Sequence, residues 1–273
     1  MKITILLSTY NGEKYIVEQL DSILNQTYDD WILLIRDDYS QDNTENIIDT
    51  YVKKHPDKIK KLNSSENFGV VKSFEELLKT CSSEYISFCD QDDIWIPTKL
   101  EESMKKMVEL EKKHPEKPIA IFSDLAVVDE NLNVIHPSFW EYSKIDPKRI
   151  KTFEDLCVRV VATGCTLLIN KKAKEISLPF IKEVRMHDSW VLLNVLKYNG
   201  IIDYLNHATV LYRQHENNVV GAQNKDSISS KICNIGRIIE ENKKQWEMIH
   251  KLGFSSKLRY VFFKIKYHLG NLF

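Results

Sequence analysis

The chain has 273 residues, of which 43% are apolar and 28% are charged, so it can bury a substantial core in one large domain with an extension. This composition excludes a disordered or fibrous chain, and eight glycines with seven prolines exclude a collagen-like repeat. Lysine and arginine number 38 against 39 acidic residues, and a net charge of −1 argues against nucleic acid as a partner.

The charge is unevenly distributed along the chain. Residues 225–273 contain ten Lys or Arg and four Asp or Glu, a net charge of +6, which leaves −7 on residues 1–224. This shift predicts one domain over 1–224 and a basic extension over 225–273. The sequence shows no cleavable leader and no apolar run of about 18 residues, so we expect a cytoplasmic protein without a membrane span.

Apolar periodicity in the first 124 residues alternates between strand and helix. Short β-rich runs predict strands at 3–7, 31–35, 60–62, 85–89 and 119–122. Helical spacing predicts helices at 15–24, 44–51, 71–78 and 97–113. Such alternation is typical of βαβ units, and it predicts an α/β fold with a mainly parallel sheet flanked by helices.

The rest of the chain gives weaker signals. Residues 129–160 are irregular and are expected to cover a binding site. Residues 160–169 and 208–212 are apolar segments, and a helix is predicted at 190–198. After residue 251, an amphipathic helix is predicted from apolar residues at helical spacing, namely Leu258, Val261, Phe262, Ile265 and Leu269. This basic helix is expected either to contact a membrane peripherally or to pack on protein, including across a homo-oligomer interface.

Polar clusters follow four of the predicted strands, at 8–11, 37–38, 90–93 and 123–124. In an open parallel sheet, ligands bind outside the carboxyl ends of the strands, so these clusters are expected to form one site. The carboxylates of Asp90 and Asp92 would repel each other unless a cation or hydrogen-bond donors lie between them. Oxygen ligands of this kind suit Mg²⁺ or Mn²⁺. A turn or a helix N-cap is the alternative interpretation of the motif.

The usual nucleotide-binding loops are missing, because the chain contains neither a Walker A motif nor a G-x-G-x-x-G motif. A nucleotide could instead be held through a metal ion on its diphosphate. Asp38 could then accept a hydrogen bond from the imide N–H of a uracil or thymine, with Tyr10 stacking on the base. A tyrosine in such a position is more often part of a core.

The motifs and their order resemble glycosyltransferase family 2, whose members have the GT-A fold. The matching segments are Ser8-Thr9-Tyr10-Asn11, Gln26-Thr27-Tyr28, 37–42, Asn67-Phe68-Gly69, 85–95, Gly164-Cys165-Thr166, His187-Asp188-Ser189-Trp190 and Tyr212-Arg213-Gln214-His215. The wording of the segments near residues 90 and 212 resembles the rhamnosyltransferase-like branch, which builds bacterial surface polysaccharides. The resemblance divides the catalytic domain into a nucleotide-binding half, 1–124, and an acceptor-side half, 125–224.

The resemblance implies a role for each matching position. Contacts with the nucleotide sugar are expected from Ser8, Tyr10, Asp38, Lys72, Asp90 and Gln91. The expected metal ligands are Asp92, His215 and Asp90, and the expected general base is Asp188. The family's usual arginine after Asn-x-Gly is absent, so Lys72 is the basic candidate for a phosphate contact. Without the family order, Asp188 would be interpreted as an N-cap and His215 as a surface or internally bonded histidine.

These roles imply an inverting, metal-dependent transferase that moves a sugar from dTDP-rhamnose or a UDP-hexose to a glycan, lipid-linked or glycoprotein acceptor, with Mn²⁺ or Mg²⁺ as cofactor. A base deprotonates the acceptor hydroxyl, and the cation stabilises the departing diphosphate. One alternative is a nucleotidyltransferase or pyrophosphorylase, but the Gly-rich basic loop after the first strand is lacking. A non-catalytic assembly protein is the other, and the intact Asp92, Asp188 and His215 argue against it.

Overall fold

A computed structural model describes residues 1–159, 161–216 and 235–270 of the chain. The first half contains β1 (Ile3–Thr9), α1 (Ile16–Leu24), β2 (Trp31–Asp37), α2 (Thr44–Lys54), β3 (Ile59–Leu62), α3 (Val70–Thr80), β4 (Tyr85–Cys89), β5 (Ile94–Trp95), α4 (Lys99–Lys113) and β6 (Ile119–Val128). The second half contains β7 (Val134–His136), α5 (Phe139–Tyr142), α6 (Phe153–Cys157), β8 (Leu168–Asn170), α7 (Lys171–Ser177), α8 (His187–Lys197), β9 (Ile201–Arg213), α9 (Ile235–Lys251) and α10 (Lys257–Gly270).

The strands form one nine-stranded sheet in the order β3-β2-β1-β4-β8-β6-β9-β5, with β7 paired to β6. The first four strands in this order are mutually parallel. Strand β8 then runs antiparallel to both β4 and β6, and β9 is parallel to β6. The predicted α/β class, with a mixed sheet flanked by helices, is therefore confirmed.

The sheet lies between two hydrophobic clusters, which explains why its strands are continuous apolar runs rather than alternating ones. All five residues of β4 are buried. Leu6, Phe74 and Phe88 belong to the cluster that includes α3 and α8. Ile5 and Ile16 belong to the other cluster, which includes α1 and α4. Side chains that alternate along β1 thus enter opposite clusters, as the pleat of a strand requires.

All the elements predicted within residues 1–124 are present, with small changes in their ends. Strand β6 continues beyond the predicted 119–122 to Val128 because it pairs with β9 along its length. Asp124 therefore lies inside the strand, where its carboxylate accepts the N–H groups of Leu125 and Trp140. Strand β9 begins at Ile201 rather than at 208, and helix α7 was not predicted. Val160 lies outside the described residues.

Helix α9 and the segment after it pack on the body of the protein. Met248, Ile249, Leu252, Phe254 and Tyr260 are buried in the same cluster as Phe88. The predicted domain boundary at 224/225 lies outside the described residues. Within the described ranges, none of the helices combines the length and the apolar character that a membrane crossing requires.

Candidate active site

The carboxyl ends of β1, β2 and β4 meet, as the sequence predicts. The Asp38 N–H donates to the Thr9 carbonyl at 2.7 Å, which joins β2 to β1. The Gln91 side chain joins β4 to β1, since its Oε1 accepts the Tyr10 N–H at 2.9 Å and its Nε2 donates to the Tyr10 carbonyl at 3.1 Å. The predicted contact of Gln91 with the nucleotide sugar stays a prediction. Tyr10 itself is 46% exposed, so its ring is accessible for stacking.

Asp38 is buried and holds the loop that follows β3. Its two carboxylate oxygens accept the N–H groups of Phe68 and Gly69, each at 2.7 Å, and it forms an ion pair with Arg36. Burial alone would raise the pKa of Asp38, but these donors hold it below its usual value. Asp38 is therefore ionised and rigidly placed. Its predicted bond to a base imide stays a prediction.

Two further candidates for nucleotide contacts lie near Asp38. Ser8 is half-buried and stands opposite Arg36 in the β1–β2 register. Lys72 is exposed in the first turn of α3, with its Nζ 3.8 Å from the centroid of the Phe68 ring. The guanidinium of Arg36 lies over the same ring, at 4.4 Å. Their expected contacts with the donor are not tested by this arrangement.

A crowded group of carboxylates follows β4. Burial and the nearby charges of Asp92 and Asp188 raise the pKa of Asp90 to about 7. Burial and the charges of Asp92 and Asp90 also raise the pKa of Asp93. Asp93 Oδ1 accepts the Arg213 N–H at 3.2 Å, and the Cys165 thiol bonds to the Asp93 carboxylate. Burial is the main cause of both shifts, and the mutual repulsion of the carboxylates adds to it.

The end of β9 brings a histidine to this group. His215 Nε2 lies 2.9 Å from Asp92 Oδ2, and the His215 ring packs against that of Tyr15 at a centroid distance of 4.7 Å. Arg213 Nε donates to the Asp92 carbonyl at 2.9 Å, which fixes β9 against the loop after β4. Two of the three predicted metal ligands, Asp92 and His215, are therefore adjacent although they are 123 residues apart in the sequence.

One group of side chains at this edge of the sheet could hold a metal ion. Ligand atoms of Asp90, Asp93 and Cys165 lie within 4.8 Å of one another, whereas Asp92 and His215 form a separate pair outside that group. Burial raises the pKa of Cys165 well above its ordinary value, so this residue is a neutral thiol. Hard cations such as Mg²⁺ and Mn²⁺ prefer carboxylates, so the crowding of aspartates here suits a divalent cation.

Asp188 lies in the first turn of α8, which begins at His187, so it is not the N-cap of a helix starting at 190. The backbone N–H groups of Ser189 and Gly164 donate to its carboxylate. Burial raises its pKa to about 6 in spite of these bonds. The charge of Asp188 contributes to the raised pKa of Asp90, which places the predicted general base beside the predicted metal site.

Three buried charged residues near the site were not predicted. Arg213 forms an ion pair with Glu18 beneath the loop after β4, although it stood in a recognised motif. Lys99 is fully buried at the start of α4, 4.3 Å from the Trp95 ring centroid, and burial lowers its pKa to about 8. Asp93 was predicted only as a member of the polar cluster at 90–93 and had no role of its own. A charged residue at the end of a strand is the only signal that could have indicated Arg213 and Asp93.

Gly164 lies between the Asp188 carboxylate and the His187 ring. A Cβ atom at Gly164 would stand 2.6 Å from His187 Nε2, and the ring cannot yield because it stacks on Phe74 at 3.8 Å and contacts Phe88 at 5.2 Å. Burial lowers the pKa of His187 to about 3, so the ring is a neutral packing element. Because Gly164 has no side chain, its backbone can lie close to His187 and donate its N–H to the Asp188 carboxylate, which helps to fix the position of Asp188.

We expect Gly164→Ala to lower the rate of sugar transfer about tenfold at an unchanged donor KM, because the clash of the added methyl with His187 shifts the position of Asp188. The overpacking should also lower the free energy of unfolding by about 1–3 kcal/mol. Gly253→Ala is the matched control, because Gly253 has φ +97° and no atom near its would-be Cβ. It loses about 1 kcal/mol without disturbing the site. Equal turnover in the two variants would show that Gly164 matters only for packing.

The profile of the family described as "Glycosyl transferase family 2" matches residues 4–175. The dTDP-rhamnosyl transferase RfbG of Shigella flexneri is 33% identical over 228 residues, covering 79% of this chain and 74% of that protein. The UDP-Glc:alpha-D-GlcNAc-diphosphoundecaprenol beta-1,3-glucosyltransferase WfgD of Escherichia coli is 27% identical over 201 residues, covering 73% of this chain and 71% of that protein.

Two solved structures share the fold at low sequence identity. The mannosyltransferase PcManGT from Pyrobaculum calidifontis, in complex with GDP-Man and Mn²⁺, superposes with a TM-score of 0.62 at 13% identity, covering 99% of this chain and 80% of that one. S. aureus TarS 1-349 in complex with UDP-GlcNAc superposes with a TM-score of 0.56 at 18% identity, covering 89% of this chain and 69% of that one.

Proposed function

Since this chain belongs to glycosyltransferase family 2 and is an enzyme with the GT-A fold, we propose that it is an inverting, cation-dependent transferase that uses a nucleoside diphosphate sugar. The observation that carries the proposal is that His215 lies 2.9 Å from Asp92 beyond the end of β4, where the charges of Asp92 and Asp188 both act on Asp90. These residues come from separate parts of the chain, and a merely structural role does not require them to converge.

Asp92, His215 and Asp90 are the proposed ligands of the cation. When bound, a divalent cation supplies Lewis-acid stabilisation to the departing diphosphate. Neighbouring residues orient two of these ligands. Arg213 donates to the Asp92 carbonyl, and Tyr15 packs against the His215 ring. Mn²⁺ and Mg²⁺ both suit this donor set.

Asp188 is the proposed general base. With a pKa of about 6 it is ionised at neutral pH, yet it is a stronger base than an exposed aspartate. It takes the proton from the acceptor hydroxyl as the oxygen attacks the anomeric carbon. The carbon–oxygen bond to the nucleoside diphosphate breaks on the opposite side, so a single displacement inverts the configuration.

Ser8, Tyr10, Asp38, Lys72, Gln91 and Asp90 are proposed to form the donor site. Tyr10 is accessible for stacking on the base. Lys72 is an exposed lysine beside the ring of Phe68, whose N–H bonds to Asp38, and there it can meet the diphosphate. The relationship to RfbG favours dTDP-rhamnose as the donor, and a UDP-hexose is the second candidate. Uracil and thymine present the same imide N–H, so the proposed role of Asp38 fits both.

The acceptor is proposed to be a growing glycan, and the name of WfgD favours a lipid-linked one over a glycoprotein. Synthesis on a lipid carrier would place this enzyme at the inner face of the cell membrane as a peripheral protein. It would serve polysaccharide biosynthesis there.

Incubation with a panel of nucleotide sugars tests the proposal. We expect dTDP-rhamnose, or failing that one of UDP-glucose, UDP-galactose and UDP-N-acetylglucosamine, to release nucleoside diphosphate with Mn²⁺ or Mg²⁺ and not with a chelator. A pyrophosphorylase would instead make nucleoside triphosphate from the sugar nucleotide and pyrophosphate. If a donor binds but is not turned over, even when extracted lipid-linked glycans are added as acceptors, the result would favour a non-catalytic assembly protein.

A further inference from the structure

Helix α10 has two apolar sides, and among the described residues only one of these sides is covered by other parts of the protein. Tyr260 is buried, with its ring 5.7 Å from that of Trp246, and Phe263 on the same side is half-buried. The opposite side is exposed: Leu258 is 85% exposed and Phe262 is 61% exposed. We name this outer face by its four residues, Leu258, Val261, Phe262 and Ile265.

Basic positions border the outer face on both sides. At about 100° per residue, positions 259 and 266 lie to one side of the face, and positions 257 and 264 lie to the other. All four are Lys or Arg, and no acidic residue follows Glu247 in the sequence. Arg259 bonds to Glu154 at 3.1 Å but remains more than half exposed. An apolar stripe between two basic borders is the pattern of a helix that lies in the interface of a membrane.

We propose that the outer face of α10 docks on the surface of an anionic lipid bilayer. The apolar side chains would enter the boundary between headgroups and acyl chains, and the exposed Lys257 and Arg259 would meet lipid phosphates. Lys264 is half-buried and bonds to Asn242, so it would contribute less. A second copy of this chain fits the face less well. In a two-fold symmetric contact the same patch meets itself, so the basic borders of the two copies would lie against each other.

The docking would also orient the enzyme. Arg259 ties α10 to α6 through Glu154, and α6 packs against α8, whose first turn carries Asp188. The helix that carries the outer face therefore packs on the predicted acceptor-side half, 125–224. This part of the inference rests on the proposed function: among the proposed acceptors, an enzyme held in this way would reach a lipid-linked one most readily.

Flotation of the full-length protein with vesicles tests the docking without any transfer reaction. We expect binding to vesicles of phosphatidylcholine with phosphatidylglycerol, and much weaker binding to phosphatidylcholine alone. Phe262→Glu and Ile265→Glu should each lower the bound fraction at least about tenfold, because a charge replaces a buried apolar group. Lys257→Gln should lower partitioning onto the anionic vesicles about fivefold.

Matched controls separate this effect from general changes of surface. Val134→Glu replaces another exposed apolar residue, on β7, and Lys105→Gln removes an exposed lysine on α4. Both should float like the wild type, and all five variants should retain donor hydrolysis. Equal binding of Phe262→Glu and wild type would overturn the proposal. The proposal would also be overturned if light scattering showed a dimer that Phe262→Glu dissociates while the fraction bound to vesicles stays unchanged. An inactive enzyme that still floats would refute the proposed function alone.

Discussion

Asp92→Asn is expected to lower the turnover of sugar transfer on the order of a thousandfold, because losing the cation's stabilisation of the leaving group costs several kcal/mol. The amide keeps the size of the side chain, and Asp92 is not part of either hydrophobic cluster, so the fold should remain intact. Titration with Mn²⁺, followed by the loss of the free-ion electron paramagnetic resonance signal, should show weakened cation binding. Turnover at saturating donor gives the catalytic effect.

Asp57→Asn is the control for this prediction, since Asp57 is an exposed acid in the loop between α2 and β3. It should bind Mn²⁺ and turn over like the wild type. Full activity of Asp92→Asn in chelator-treated buffer would refute the assignment of Asp92 as a ligand. Weakened Mn²⁺ binding at unchanged turnover would leave Asp92 as a ligand and remove the cation from catalysis.

Asp188→Asn is expected to lower turnover by about 10²- to 10⁴-fold, because the amide cannot take a proton from the acceptor. The donor KM should change little, since Asp188 is assigned to the acceptor. The wild-type rate should fall as the pH drops through about 6, because the pKa of Asp188 is raised to about 6 and only its ionised form accepts a proton. The asparagine variant should lack this fall. Rates at saturating donor over a range of pH measure both effects.

Two outcomes would contradict the role of Asp188. A variant with weaker donor binding and unchanged turnover would place the residue in the donor site instead. A product that retains the anomeric configuration of the donor, determined by nuclear magnetic resonance, would exclude the single displacement. Asp57→Asn serves as the control here too, because it removes an exposed carboxylate in the loop between α2 and β3 and should keep both the rate and its pH dependence.

The fold of the nucleotide-binding half, 1–124, could be predicted well because the sequence patterns that specify it are local. Each buried strand of residues 1–89 is a short apolar run, and each ends in polar residues such as Asp38 or Asp90. Parallel βαβ connections then bring those ends together without any knowledge of distant contacts. The convergence of the ends of β1, β2 and β4 followed from periodicity alone, whereas His215 was identified as the partner of Asp92 only from the order of the family motifs.

Features that depend on distant contacts could not be predicted in this way. Strand β9 pairs with β6 and β5, and this pairing alone carries Arg213 beneath the loop after β4. Lys99 follows a proline-containing turn at the start of a polar helix, where a lysine is ordinarily exposed. The contact of Gly164 with His187 depends on stacking against Phe74 and Phe88, which belong to other elements.

The antiparallel insertion of β8 between β4 and β6 has a consequence for synthesis of the protein. The ribosome releases β1 to β4 early, and these strands can pair through short crossovers. The other edge of the sheet must wait for β8 and β9, whose partners lie far back in the chain. His215 reaches Asp92 only after β9 has formed. A nascent chain therefore displays Asp90, Asp92 and Asp93 before His215 has been synthesised, so the proposed cation site can be completed only after β9 has formed.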